Sequence, residues 1–219
     1  MTSEYSRLKA KQRADRDQYH PNASIRIHRA LSWLQRAEQC DDEDGRFVFL
    51  WIAFNAAYAN EVSEEYRLSE QQAFAQFIER LLGYDSAKNL YNLVWAEFTN
   101  SIRALLNNRY VFQPFWDFHN QKIAEHEWQE RFDQAKKSAS VALGNQDTHR
   151  VLGIILSRLY TLRNQVVHGG ATCGSSVNRQ QLTDANKIMA KLVPIIIELL
   201  MDHASGHWGD ACYPVLSEM

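Results

Sequence analysis

Arg163, Asn164 and His168 are the residues of this chain whose types and spacing best suit chemistry. An arginine offers a fixed positive charge and a forked donor array that grips phosphate. A histidine moves protons near neutral pH. Together they suit RNA cleavage by the neighbouring 2'-hydroxyl. That reaction needs a base, a cation for the phosphorane charge and an acid for the leaving oxygen, but no metal. One histidine does not readily serve both sides of one phosphorus. A two-fold dimer brings a second Arg163 and a second His168 to the same cleft. Asn164, directly after the arginine, is expected to orient the site by hydrogen bonds.

These residues must be positioned by a helix that ends just beyond them. Leu152, Ile155, Leu156, Leu159 and Leu162 recur at spacings of three and four, the mark of a buried helical stripe. Gly169 and Gly170 supply the left-handed conformation that ends helices, so His168 is predicted in the last turn. Five residues of ideal helix put Arg163 and His168 roughly 140° apart. They meet on one ligand only where the helix end bends or unwinds. A second pair of the same spacing class, Arg13 with His20, lies in a polar segment without a core helix.

The 219 residues suit one large domain, and 45% apolar content is ample for a core. Four prolines, nine glycines and no alternating apolar–polar strands predict an all-α fold. A net charge of −2 excludes broad electrostatic capture of nucleic acid, so any RNA contact must be local. Residues 147–191 hold such a patch: Arg150, Arg158, Arg163, Arg179, Lys187 and Lys191 against Asp147 and Asp184, six minus two, or +4. Arg158, Arg150 and Arg179 are the candidate RNA-binding residues. A solvated mixed surface is the alternative reading of the patch.

Residues 1–21 read as a polar arm, frayed or docked on a partner. Residues 22–203 read as the helical domain and 204–219 as a tail over the surface. The predicted helices are 22–39, 44–60, 69–82, 86–107, 123–143, the motif helix from Thr148, and a last one to about residue 203. The helix over 44–60 is apolar on nearly all sides and is expected at the centre. Pro194 should kink the last helix. Asn178 with Gln181 looks like its cap, and residues 171–177 read as a mobile loop beside the site. The aromatic segment 110–118 either stacks RNA bases, with Arg103 and Arg109, or packs its own cluster.

No cofactor or metal is expected. Asp41-Asp42-Glu43-Asp44 lacks the spacing of a calcium loop. His203 and His207 lie four apart, but Gly206 intervenes and no third ligand is evident. Cys40, Cys173 and Cys212 are scattered, which suits a reducing cytoplasm. No secretory signal opens the chain, and the apolar run 192–201 is too short to span a bilayer.

Arg163, Asn164, three further residues and His168 resemble the R-x(4–6)-H motif of HEPN domains. The apolar stretch from Phe49 to Tyr58 resembles an early helix of some bacterial HEPN-like proteins. The resemblance extends over about 22–203. It implies an all-α HEPN-like bundle with extra helices, a homodimer, and a metal-independent endoribonuclease of toxin–antitoxin or antiviral defence systems. An antitoxin or defence-system partner protein would then accompany the RNA substrate. HEPN toxins modified by nucleotidyltransferase antitoxins often carry a tyrosine two residues after the histidine. Here that place is Gly170, which puts that route of neutralisation in doubt. The other open reading is a non-catalytic helical module binding a nucleotide or protein partner.

Overall fold

The computed structural model describes residues 3–58, 70–97, 99–176, 178–206 and 208. Among them are ten α-helices and no strand, so the fold is all-α. The helices are α1 (Glu4–Asp15), α2 (Pro21–Glu38), α3 (Glu43–Tyr58), α4 (Glu70–Tyr84), α5 (Asn89–Asn92), α6 (Thr99–Leu106), α7 (Gln113–His119), α8 (Glu125–Gly144), α9 (Thr148–Val167) and α10 (Arg179–Asp202). No helix among the described residues is long and apolar enough to cross a membrane.

Helix α3 is the hub. None of its residues is fully exposed, and Phe47, Leu50, Trp51, Ala53, Phe54 and Ala57 are buried. Such a helix needs neighbours on every side. Helices α2 and α10 pack along it. Helices α4 and α9 close the remaining side, with Phe74 and Tyr160 each about a ring's width from Trp51, at 6.3 and 6.1 Å between centroids. The short α2–α3 connection makes those two helices antiparallel. Trp33 accordingly stacks on Phe49 near one end, while Arg26 reaches the Ala57 carbonyl near the other.

Polar residues set the helix ends. The Ser3 hydroxyl accepts the Ser6 N–H at the start of α1. His20 Nδ1 accepts the Asn22 N–H, with Pro21 opening α2. The Asp147 carboxylate, one residue earlier than Thr148, accepts the Arg150 N–H and caps α9. The Asp85 carboxylate takes the N–H groups of both Asn89 and Leu90 at the start of α5.

Three expectations are corrected. The polar segment 1–21 is neither frayed nor left for a partner over its described residues, because α1 docks on the chain's own α2 and α10. Leu8 is fully buried there, Arg7 and Lys11 pair with Glu198, and Lys11 also pairs with Asp202. The region 86–107 is not one helix. It is α5, a π-helical turn over Leu93–Glu97, and α6. The boundary at residue 204 does not separate a tail, since Ala204 and Trp208 are buried in the core cluster. Residues 209–219, with Cys212, lie outside the described residues, as do Ser69, Phe98 and His207. Helix α10 continues through Pro194. The His203 ring stacks on Tyr84 at 4.2 Å, and its carbonyl accepts the Trp208 indole N–H.

The docking of α1 carries a pH dependence. The Arg7 guanidinium holds the Glu198 carboxyl below its usual range, with Lys11 adding to the effect. A depressed folded value means the stabilisation is complete above the ordinary glutamate range. It is lost as pH falls through the folded value. Arg7 is nearly half exposed, at 46%, so the contribution is only about 0.5–1 kcal/mol. Protection factors of the α1 amides, taken relative to intrinsic exchange at each pH, should therefore be constant between about pH 7 and 5 and fall below about pH 4. Glu198→Gln should flatten that profile. An unchanged acid response in Glu198→Gln would contradict this account.

Candidate active site

Helix α9 presents its apolar stripe, Val151, Leu152, Ile155, Leu156, Leu159 and Leu162, to the core. The next turns rise out of that core. Arg163 and Asn164 are half-buried, and Val167 and His168 are exposed. The helix stops where the glycine pair requires. His168 is the C-cap, with its N–H on the Asn164 carbonyl at 3.0 Å. Gly169 adopts φ +71° and its N–H bonds the Val166 carbonyl, while the Gly170 N–H bonds the Gln165 carbonyl at 2.7 Å. This pairing of nested bonds is a Schellman closure. Gly169 is favoured by its positive φ, and a Cβ on Gly170 would stand 3.1 Å from the Gln165 carbonyl oxygen, a tight contact that the backbone would have to relieve by a few tenths of an ångström.

Arg163 donates from Nη1 to the Asn164 side-chain oxygen at 2.9 Å, and its Cζ lies 5.9 Å from the Tyr160 ring centroid. Its Nε is buried and has no acceptor among the described residues. Arg163 forms no hydrogen bond with His168 within the described chain. The two side chains leave the helix on different bearings, as the five-residue step requires.

The basic patch is dispersed. Arg158 is 4% exposed and lies over the rings of Phe112 and Phe132, at 4.3 and 5.8 Å. Burial pushes its pKa down to about 10. Arg179 is committed to Asp44, at 2.8 Å, and to the Ser175 carbonyl. Arg150 remains exposed and donates to the Ser138 hydroxyl. A count of charges along the sequence treats every helix cation as facing water. Here the aromatic segment and α8 cover the Arg158 face of α9. Most of that segment packs its own cluster, with Phe112, Phe115, Phe118, Trp128 and Phe132 in ring contact. Tyr110 is its exposed member.

Gln165 is the residue the motif reading passed over. Its Nε2 donates to the Tyr110 carbonyl and its Oε1 accepts from Asn178 Nδ2, both at 2.6 Å. It ties the end of α9 to the aromatic segment and to the residue that opens α10. Asn178 is therefore not a side-chain cap. It sits at φ +61° and spends its amide on Gln165. The available signal was a third polar side chain directly after Arg163 and Asn164, on the last turns of a helix that must end.

The loop after Gly170 is also tethered. Asp44 Oδ2 accepts from the Gly174 N–H and from Arg179, which joins the loop to the first turn of α3. Asp42, Asp44 and Cys173 place one potential metal-ligating atom each within 4.8 Å of the others. Cys40 Sγ lies 3.2 Å from Asp42. The Gly45 N–H holds the Asp42 carboxyl below its usual range, and burial pushes the Cys40 thiol up. Asp44 already meets a full positive charge in Arg179, so the group reads as an ion-paired tether.

Removing the Gln165 amide should loosen the site without emptying the core. Two hydrogen bonds at about 0.5–1.5 kcal/mol each set the expected cost of Gln165→Ala at roughly 1–3 kcal/mol. The melting temperature should fall by several degrees, and exchange should quicken selectively at residues 164–170. A loss of protection spread evenly over α9 would argue against this local role. Comparison with protein-family models, with curated proteins and with solved structures gives no match, so the all-α class rests on the helices themselves.

Proposed function

We propose that this chain is a metal-independent endoribonuclease of HEPN type, acting as a homodimer in a toxin or antiviral defence role. The observation that carries this reading is the end of α9. There a half-buried arginine, braced by Asn164, keeps a buried Nε–H without a protein acceptor beside an exposed histidine held at a Schellman-closed terminus. An unfilled guanidinium donor suits a phosphate oxygen. An exposed histidine on a closed terminus suits proton transfer to a bound chain.

In this mechanism the substrate 2'-oxygen attacks phosphorus and gives its proton to one His168. Arg163 neutralises the charge that builds on the non-bridging oxygens. The P–O5' bond breaks and the second copy's His168 protonates O5'. The products are a 2',3'-cyclic phosphate and a 5'-hydroxyl. The dimer is needed because one histidine does not readily serve both sides of one phosphorus, and a second copy supplies the other. Val167, an exposed apolar residue beside His168, gives the two copies a surface to share. The non-catalytic module remains the second reading, favoured by the dispersal of the basic patch, with Arg158 buried and Arg179 paired.

His168→Ala should remove nearly all RNA cleavage while leaving melting temperature and dimer mass unchanged, since the residue lies outside the core. Arg163→Lys should lose most activity, because an ammonium cannot reproduce the forked grip. Wild-type cleavage should persist with a chelator present and leave cyclic-phosphate ends. Undiminished cleavage by folded His168→Ala, or 5'-phosphate products, would transfer the case to the binding module.

A further inference from the structure

Tyr110 is the member of the aromatic segment that the segment's own cluster does not absorb. It is 39% exposed, while Phe115 and Trp128 are buried. Its backbone is nevertheless held on both sides. The Asn108 side chain accepts its N–H at 2.9 Å. Its carbonyl accepts from Trp116 Nε1 at 2.8 Å and from Gln165 Nε2 at 2.6 Å. Three hydrogen bonds thus fix a residue whose ring stays partly open to solvent.

Arg109 pairs with that ring directly. Its guanidinium is exposed, lies 5.0 Å from the Tyr110 centroid and donates from Nη2 to the Tyr110 hydroxyl at 3.1 Å. Phe115 meets Tyr110 at 84°, with centroids 5.5 Å apart, and backs the pair from the cluster. Arg109 forms no ion pair with any described residue. Nucleobases stack on aromatic rings and on guanidinium planes, and a cation without a counter-charge favours the phosphates that come with them.

Gln165 anchors this pair to the reacting end of α9. It stands three residues before His168, and residues three apart are neighbours on a helix surface, about 5–6 Å between Cβ atoms. It stands two after Arg163, on a different bearing. The braced ring is therefore anchored on the histidine side of the motif.

We propose that Tyr110 and Arg109 form the subsite for an unpaired nucleobase of the nucleotide next to the scissile phosphate. The inference rests on the ribonuclease reading for the phosphate at Arg163 and the proton moved by His168. A base held on the pair fixes the sugar attached to it, and so limits the directions from which the 2'-oxygen reaches phosphorus. A base in a duplex has its faces covered by its neighbours and must leave the stack first.

The test uses the full-length protein and a short single strand without 2'-hydroxyls, which the proposed reaction does not cut. Fluorescence anisotropy compares it with the same backbone carrying abasic sugars. The wild type should bind the base-bearing strand more tightly. Tyr110→Ala should weaken that binding about 5- to 100-fold, toward the level of the abasic strand. The fold should survive, because the bonds that brace residue 110 come from its backbone. Tyr110→Phe, which keeps the ring, should bind nearly as the wild type does. Arg109→Gln should bind less tightly and with a shallower salt dependence. On RNA, Tyr110→Ala should lower kcat/KM by a factor similar to its loss of binding. Base-dependent binding that needs Tyr110, without RNA cleavage by the wild type, would uphold the subsite and remove the ribonuclease reading. Cleavage by the wild type, with base-dependent binding unchanged in Tyr110→Ala, would do the reverse. Equal binding of the base-bearing and abasic strands by the wild type would also overturn the subsite.

Discussion

No face of α3 can be left in water. A run from Phe47 to Tyr58 with aromatic or aliphatic groups on every bearing must be surrounded, and burying each large side chain is worth about 1.5–3 kcal/mol. That demand draws α2 and α10 along its flanks and α4 and α9 across the rest. The axis of α9 is therefore not placed by its own polar residues. It is placed by Tyr160 packing on Trp51 and Phe74 one turn earlier. The motif emerges where this packing runs out.

At that rim, hydrogen bonds take over from apolar contact. Gln165 and Asp44 each tie three segments together at this rim. Each bond is modest, because water competes for these groups. Their value lies in geometry: they restrict where the Gly170 loop and Tyr110 can stand relative to Arg163. The chain thus separates its tasks. Ring packing fixes the helix axis, and a few amides and carboxylates fix the last turn.

Much of this order was legible in the residues. The stripes of α9 and α10, the central place of α3 and the stop at Gly169 follow from periods and from glycine, which act locally. The errors share a different character. Arg158 was read as facing water because nothing local records that Phe112 and Phe132 fold over it. The segment 1–21 was read as an arm, frayed or docked on a partner, because one leucine and a few charges carry its docking, and the acids they pair with lie nearly two hundred residues away. Asn178 matched a cap pattern, yet its amide found Gln165 instead. Of the site, the Arg163–Asn164 contact and the exposed helix-end His168 were legible. The Gln165 bridge was not, since it depends on where two other segments arrive.

The π-helical turn at Leu93–Glu97 has a consequence for chain length. In a regular α-helix Leu90 and Ile102, twelve residues apart, would point about 120° away from each other. Both are buried in one core. The wider turn takes up a single extra residue and returns the two to a common face. A chain shorter by one residue between 93 and 97 would meet the same core through an ordinary helix. The same loss within α3, where no bearing is spare, would swing every later side chain by about 100° and leave none of them facing its present neighbour. The fold thus tolerates a change of length at one point along its helices and forbids it at another.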